Sequence, residues 1–168
     1  MTRIGLISDT HSYIDDRILE HFKDVDEIWH AGDIGSMEVL EKLEAFKPVK
    51  AVFGNIDNDK IRRSTEHILR LSVEGCSFWM IHIGGRPGRY SKGIHELISA
   101  EKPNVFICGH SHICKAQFDQ RYNMLYLNPG AAGIHGFHKI RTMMRFSVSK
   151  GKVENLEVIE LGKRGANS

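Results

Sequence analysis

Cysteine is scarce in this chain, three residues in 168, an odd number and far below what a disulfide framework needs. A small disulfide-stapled fold is excluded, and a reduced, cytoplasmic protein is expected. No apolar run approaches the roughly 20 residues of a membrane-spanning helix, so no membrane partner is expected. The opening MTRIGLISDTHS holds an apolar run too brief for a signal peptide and passes straight into polar residues. An excess of charge is missing too: 23 basic against 21 acidic residues leave +2, which gives no field for duplex nucleic acid or an anionic bilayer. Repeats, low-complexity linkers and breaks in composition are absent. A single domain over residues 1–163 is expected, with 164–168 as a frayed tail.

Histidine is what the chain has in quantity, ten residues. Their setting emerges from the hydrophobic pattern. Arg3 to Ile7 reads as a buried strand. Ile14, Ile18, Leu19 and Phe22 follow at helical spacing, Asp26 to His30 reads as a second strand, and a helix is predicted from Ser36 to Phe46, stopped by Pro48. VKAVFGN completes β-α-β-α-β, which argues for a parallel sheet with right-handed crossovers. HILRLSVEG and SFWMIHIGG read as two strands turning at Glu74-Gly75. Tyr90 to Lys102 reads as a helix stopped at Pro103. NVFICG, CKAQFDQ, NMLYLNPG and two strands around SKGK follow.

Five of these strands end in polar clusters: SDTHS, AGDIG, GNID, HIGG and GHSH. Ligand sites of open α/β sheets gather at the carboxyl ends of strands, so Asp9, His11, Asp33, Asn55, His82, His110 and His112 are expected to converge. Aspartate, histidine and asparagine together suit first-row divalent ions. Side chains two apart point the same way only on an extended backbone, so Asp9/His11 and His110/His112 are expected on extended loops. Gly32, Gly54 and Gly109, each preceding a candidate ligand, are expected to permit close approach. These candidates are too many for one ion with open positions. Two ions sharing a carboxylate, as in two-metal phosphoryl-transfer sites, fit better. Two dications, two aspartates and one hydroxide sum to about +1, which favours an anionic phosphoester.

In order, D-x-H, G-D, G-N, H and G-H-x-H resemble the calcineurin-like metallophosphoesterase superfamily. The GNxD form and the Asn128–Gly130 NPG loop are similar to its small bacterial and archaeal phosphodiesterase branch, from residue 4 to about 135. The resemblance implies an α/β fold, a four-layer α/β/β/α sandwich of two mixed sheets flanked by helices. It implies one metal on Asp9, His11, Asp33 and His112 and another on Asp33, Asn55, His82 and His110, with Asp33 bridging. A metal-bridging hydroxide would attack in line, and Asp33, Asn55 and His82 would serve as catalytic groups. Manganese is the expected ion, with iron, zinc, nickel or cobalt as alternatives. The substrate would be a small phosphoester such as a nucleotide, and the protein a homo-oligomer, dimer or tetramer. The alternatives are a nucleotide pyrophosphatase or phosphomonoesterase, and a non-catalytic metal-binding scaffold of the retromer-subunit type.

One departure matters. Where the related phosphoprotein phosphatases carry a proton-donating histidine after the GN asparagine, this chain has Ile56. His135 and His138 in GIHGFHK are the candidate substitutes. Arg86 and Arg89 are candidate phosphate contacts, against the alternative of solvated charge. His30 is expected to pack beside the site rather than ligate, and Asp57 either to hydrogen-bond within the site or to start a short helix. Cys108 and Cys114, flanking GHSHI, are read as apolar filler, not zinc ligands.

Overall fold

A computed structural model describes residues 1–165. The elements run β1 (Thr2–Ile7), α1 (Asp16–His21), β2 (Glu27–His30), α2 (Met37–Phe46), β3 (Val49–Ala51), α3 (Asp59–Ser64), β4 (Ile68–Val73) and β5 (Cys76–Ile81). Then come β6 (Gly85–Arg86), β7 (Arg89–Tyr90), α4 (Ile94–Glu101), β8 (Val105–Ile107), β9 (Lys115–Asp119), β10 (Met124–Asn128), β11 (Ile140–Ser149) and β12 (Lys152–Lys163). One mixed sheet has the order β12-β11-β1-β2-β3, the other β4-β5-β8-β10-β9, and β6-β7 is a separate hairpin.

The period-2 alternation of the strands builds the layers. On β1, Ile4 and Leu6 turn toward the second sheet, meeting Phe78, Met80 and Ile107, while Ile7 turns outward onto Ile18 and Phe22 of the α1 segment and Leu43 of α2. The second sheet repeats this: Trp79, Ile81 and Phe106 face away from the first sheet and cover Ile94 and Ile98 of α4. The result is helices, sheet, sheet, helix, the expected four-layer α/β/β/α sandwich. Trp29, Phe78 and Phe146 fill the middle, the first two in edge contact with ring centroids 4.9 Å apart. Each such burial stabilises by about 1.5–3 kcal/mol.

The parallel register is what positions the site. β1 pairs parallel with β2 and β2 with β3, while β5, β8 and β10 are likewise parallel neighbours. Their carboxyl ends therefore open along a common edge, stitched by Asp9 N–H to Gly32 O (2.9 Å) and Gly109 N–H to His82 O (3.0 Å).

Three expectations need correction. The helix read from Tyr90 begins at Ile94, because Gly88 and Gly93 hold positive φ and Tyr90 pairs with Gly85 in the β6–β7 hairpin. The short helix offered as one reading of Asp57 exists as α3, but Asn58 rather than Asp57 caps it, accepting from Ile61 N–H at 3.0 Å. The tail does not fray from residue 164, because Arg164 donates from N to Lys139 O at 2.9 Å and from Nε to His138 O at 2.7 Å. The expected fraying of residues 166–168 lies outside the described residues.

Candidate metal centre

The expectation of extended loops fails in an instructive way. Asp9, His11, Asp33, His110 and His112 all have left-handed backbone, with φ of 54°, 45°, 56°, 71° and 63°. Each costs an L-residue roughly 1–2 kcal/mol. His110 and His112, two apart, join different clusters, whereas Asp9 and His11 share one. Asp9, His11 and His112 form one, and Asp33, His82 and His110 the other, the ligating atoms of each lying within 4.8 Å of one another. Strain gathered at one sheet edge marks a functional site.

The loops are tied by hydrogen bonds that only tertiary proximity provides. Asp57, buried, accepts from Gly35 N–H (2.8 Å), Gly54 N–H (2.8 Å) and Ile34 N–H (3.2 Å), so one carboxylate clamps the Asp33 loop to the Asn55 loop. Of the two expected roles it takes the first; the helix cap is Asn58. Asn128 Nδ2 donates to Gly109 O and Ser111 Oγ, both at 3.1 Å, and Ser8 Oγ donates to Asp9 Oδ2 at 2.6 Å. Neither Ser8 nor Asn128 was read from sequence as a support; a Ser beside a candidate ligand and the NPG loop were the signals available. A Cβ at Gly54 would collide with the Asp33 carboxylate, and one at Gly109 with Ser8 Oγ, so close approach requires both glycines.

Within this frame the donor atoms face one another without satisfying one another. His11 Nε2 lies 3.4 Å from Asp33 Oδ2 and 3.8 Å from Asp9 Oδ1, His82 Nε2 lies 3.3 Å and 3.9 Å from the same two atoms, and His112 Nε2 lies 3.2 Å from Asp9 Oδ1. Asp9 Oδ1, His11 Nε2 and His82 Nε2 are buried and have no hydrogen-bond partner. Donors about 2.1 Å from a common ion lie about 3–3.5 Å apart, so the set fits divalent ions.

The imidazole tautomers agree. His82 Nδ1 lies 2.8 Å from Ala31 O, and a carbonyl only accepts, so Nδ1 carries a proton and Nε2 is the atom an ion would take as a ligand. His138 Nε2 likewise donates to Gly133 O at 2.8 Å, which makes its Nδ1 the acceptor for His112 Nδ1–H at 3.2 Å. His112 Nε2 is thereby the ring atom turned to Asp9, where an ion would take it as a ligand.

Charge follows the same geometry. Burial pushes the Asp9 carboxyl up, but His11 and His112 outweigh it and hold it well below the usual range. Burial also pushes Asp33 up, and His11 and His82 overcome it. The Asp33 and Asp9 carboxylates raise His11 to about 9. For His82, burial pulls the imidazole down and Asp33 more than reverses this. In the metal-free centre His11 and His82 pair with the carboxylates and offset the repulsion between Asp9 and Asp33.

The remaining candidates separate cleanly. His30 is fully buried, accepts from Gly32 N–H at 3.1 Å and donates to Thr10 Oγ1 at 3.0 Å, and burial lowers it to about 4, so it packs as a neutral support. His135 lies ring to ring with His11, centroids 4.9 Å apart. Arg86 and Arg89 line a neighbouring cavity rather than joining the cluster. Cys108 Sγ sits 3.1 Å from Tyr126 Oη, with its thiol pushed up to about 12 by burial, and it joins neither cluster.

The calcineurin-like phosphoesterase superfamily domain matches residues 2–151. The chain belongs to that superfamily. A protein of Methanothermobacter thermautotrophicus described as a probable metallophosphoesterase is 32% identical over 133 residues, 76% of each chain. Among solved structures, an archaeal phosphodiesterase superposes with a TM-score of 0.77 at 22% identity, covering 95% of this chain and 99% of its own. Vps29 of Entamoeba histolytica, solved with zinc, gives 0.72 at 15%, covering 94% and 98%. Both share the metallophosphoesterase fold. The superfamily uses divalent metals, and the two clusters are this chain's candidate sites for them.

Proposed function

We propose that the protein is a dinuclear-metal phosphodiesterase acting on a small phosphoester, and one observation carries this: buried donor atoms of Asp9, His11 and His82 converge with no partner but each other. Asp9, His11, Asp33 and His112 would hold one ion; Asp33, Asn55, His82 and His110 the other, Asp33 bridging. Bound there, two divalent ions, manganese foremost, lower the pKa of water and neutralise charge on a transferring phosphoryl group.

The chain supplies orientation and proton handling. Asn55 Oδ1 accepts from His110 Nδ1–H at 3.1 Å, which leaves the Asn55 amide N–H groups to donate to a phosphoryl oxygen. Ile56 gives the leaving oxygen no proton. His138 is committed to two hydrogen bonds, whereas His135 lines the same cavity as Ile56 and has no hydrogen-bond partner among the described residues. His135 is the group to protonate the leaving oxygen, a role typically worth about 10²–10⁴-fold. No described helix is long and apolar enough to cross a membrane. A cytoplasmic homo-oligomer, its size testable by light scattering, completes this reading.

The test is hydrolysis of bis(4-nitrophenyl) phosphate and 4-nitrophenyl phosphate by chelated protein, with and without manganese. Manganese-dependent cleavage of the diester, lost in Asp33→Asn, supports the reading; preference for the monoester turns it toward a phosphomonoesterase. Metal uptake without either cleavage favours the scaffold reading. That second reading draws on Ile56 and on an apolar rim, with Ile113 59% and Phe137 102% exposed.

A further inference from the structure

The β6–β7 hairpin carries a feature that folding alone does not reward. Its register sets Arg86 directly opposite Arg89 across a Pro87-Gly88 turn, and like charges directly opposed in an antiparallel pair destabilise it. Among the described residues no carboxylate is paired with either guanidinium or with Lys115. The hairpin is nonetheless held firmly. Tyr126 Oη donates to Gly85 O at 2.8 Å, Tyr90 Oη donates to Asp119 at 2.6 Å, and Ser91 N–H donates to Gly84 O at 3.0 Å. Two exposed guanidinium groups with no carboxylate partner are thus set side by side on a firmly held backbone, as an anion site would need.

Arg86, Arg89 and Lys115 line one cavity of about 390 Å³, within the size range of sites for small organic ligands. His110, Ser111 and Ile113 form a wall shared with a second cavity of about 490 Å³, which holds His11, Asp33 and Asn55. Of the candidate ligands only His110 reaches the cationic cavity. A phosphoryl group at the metal centre is therefore a different group from any anion seated between the arginines.

We infer that the substrate is a phosphodiester or pyrophosphate one arm of which carries a second phosphoryl group, seated between Arg86, Arg89 and Lys115 while the scissile phosphorus lies across the His110 wall. This rests on the phosphoesterase reading above and adds the substrate class. The second cavity, where Ile56 and Phe137 give an apolar wall, takes the other arm.

A matched pair of chromogenic esters tests it: the 4-nitrophenyl ester of thymidine 5′-phosphate with and without a 3′-phosphate, assayed with the manganese-loaded protein. ADP-ribose is assayed beside them, to separate a second phosphate next to the scissile one from a remote one. The 3′-phosphate is expected to raise kcat/KM by about 10- to 100-fold, through KM, as charge-assisted contacts do. In Arg86→Ala/Arg89→Ala that ratio falls to about one, with Tm unchanged or higher because the opposed charges are gone. A ratio near one in the wild type for the esters, with no cleavage of ADP-ribose, overturns the inference; so does a ratio that survives in the double variant. If neither ester is cleaved, the phosphodiesterase reading fails by itself. Calorimetry with thymidine 3′,5′-bisphosphate against thymidine 5′-monophosphate then decides: tighter, arginine-dependent binding of the bisphosphate sustains the inference, and equal binding ends it.

Discussion

The two ligand clusters are built to different standards. Asp9, His11 and His112 are buried or half-buried and supported from behind, Asp9 by Ser8 and His112 by His138. Asp33, His82 and His110 begin equally well, but His110 is exposed and its Nδ1 partner, Asn55, is exposed as well. Donor type is nearly the same in both, so the difference lies in how firmly each donor is held. Metal affinity follows that support as much as it follows the ligands themselves, and the first cluster should hold its ion more tightly.

The largest effect is expected where the clusters meet. Asp33→Asn should remove manganese-dependent hydrolysis by more than the roughly 10–100-fold typical of a supporting residue, because it weakens both sites at once. A loss within that range would show that Asp33 belongs to one cluster only. Next, manganese titration followed by calorimetry should resolve a tight and a weaker event. His110→Ala should abolish the weaker and spare the tight, Asp9→Asn the reverse; loss of the same event in both variants would refute the asymmetry. A third change probes the support alone: His138→Phe should weaken the tight event about 10–100-fold, and His138→Gln, which can still accept from His112 Nδ1–H, should recover most of it. Nitrogen-15 spectra of the metal-free protein should show the His112 proton on Nδ1 in the wild type and redistributed in His138→Phe.

The smallest effect is on stability. His11, raised from an ordinary 6.5 to about 9, stabilises the metal-free fold fully below pH 6.5 and loses that contribution as pH rises through about 9. Asp9 and Asp33, held low, contribute above the usual carboxylate range and lose it only in acid. Chelated protein should therefore lose Tm between pH 6.5 and 9, while manganese, which replaces the protons, should protect progressively more across that window. Parallel Tm curves with and without manganese would contradict this.

Much of the site was legible because each cluster of polar residues ends an apolar strand, a pattern local enough to be seen in a few residues. The layer order and the convergence of Asp9, Asp33, His82 and His110 follow from parallel strands opening along one edge. The left-handed backbone at five of the seven candidate ligands was not legible, since aspartate and histidine adopt it only occasionally and contacts between loops impose it here. Asp57 shows the same limit: its three amide partners belong to two loops brought together by folding. Arg86 and Arg89 were visible as residues, but their opposition depends on a six-residue hairpin, Gly85–Tyr90, whose last residue was read as the start of a helix that begins at Ile94.

The bond from His110 N–H to Asp9 Oδ2, 3.1 Å long, joins positions 101 residues apart. Both sheets must be docked before it forms, so the candidate metal centre has no local precursor. Its donors are scattered over five segments, and loop closures of that span come late in folding. An ion offered to the nascent or unfolded chain finds no preformed site and cannot act as a nucleus. It arrives instead as a lock, slowing unfolding once the sandwich has closed and leaving the rate of folding largely untouched.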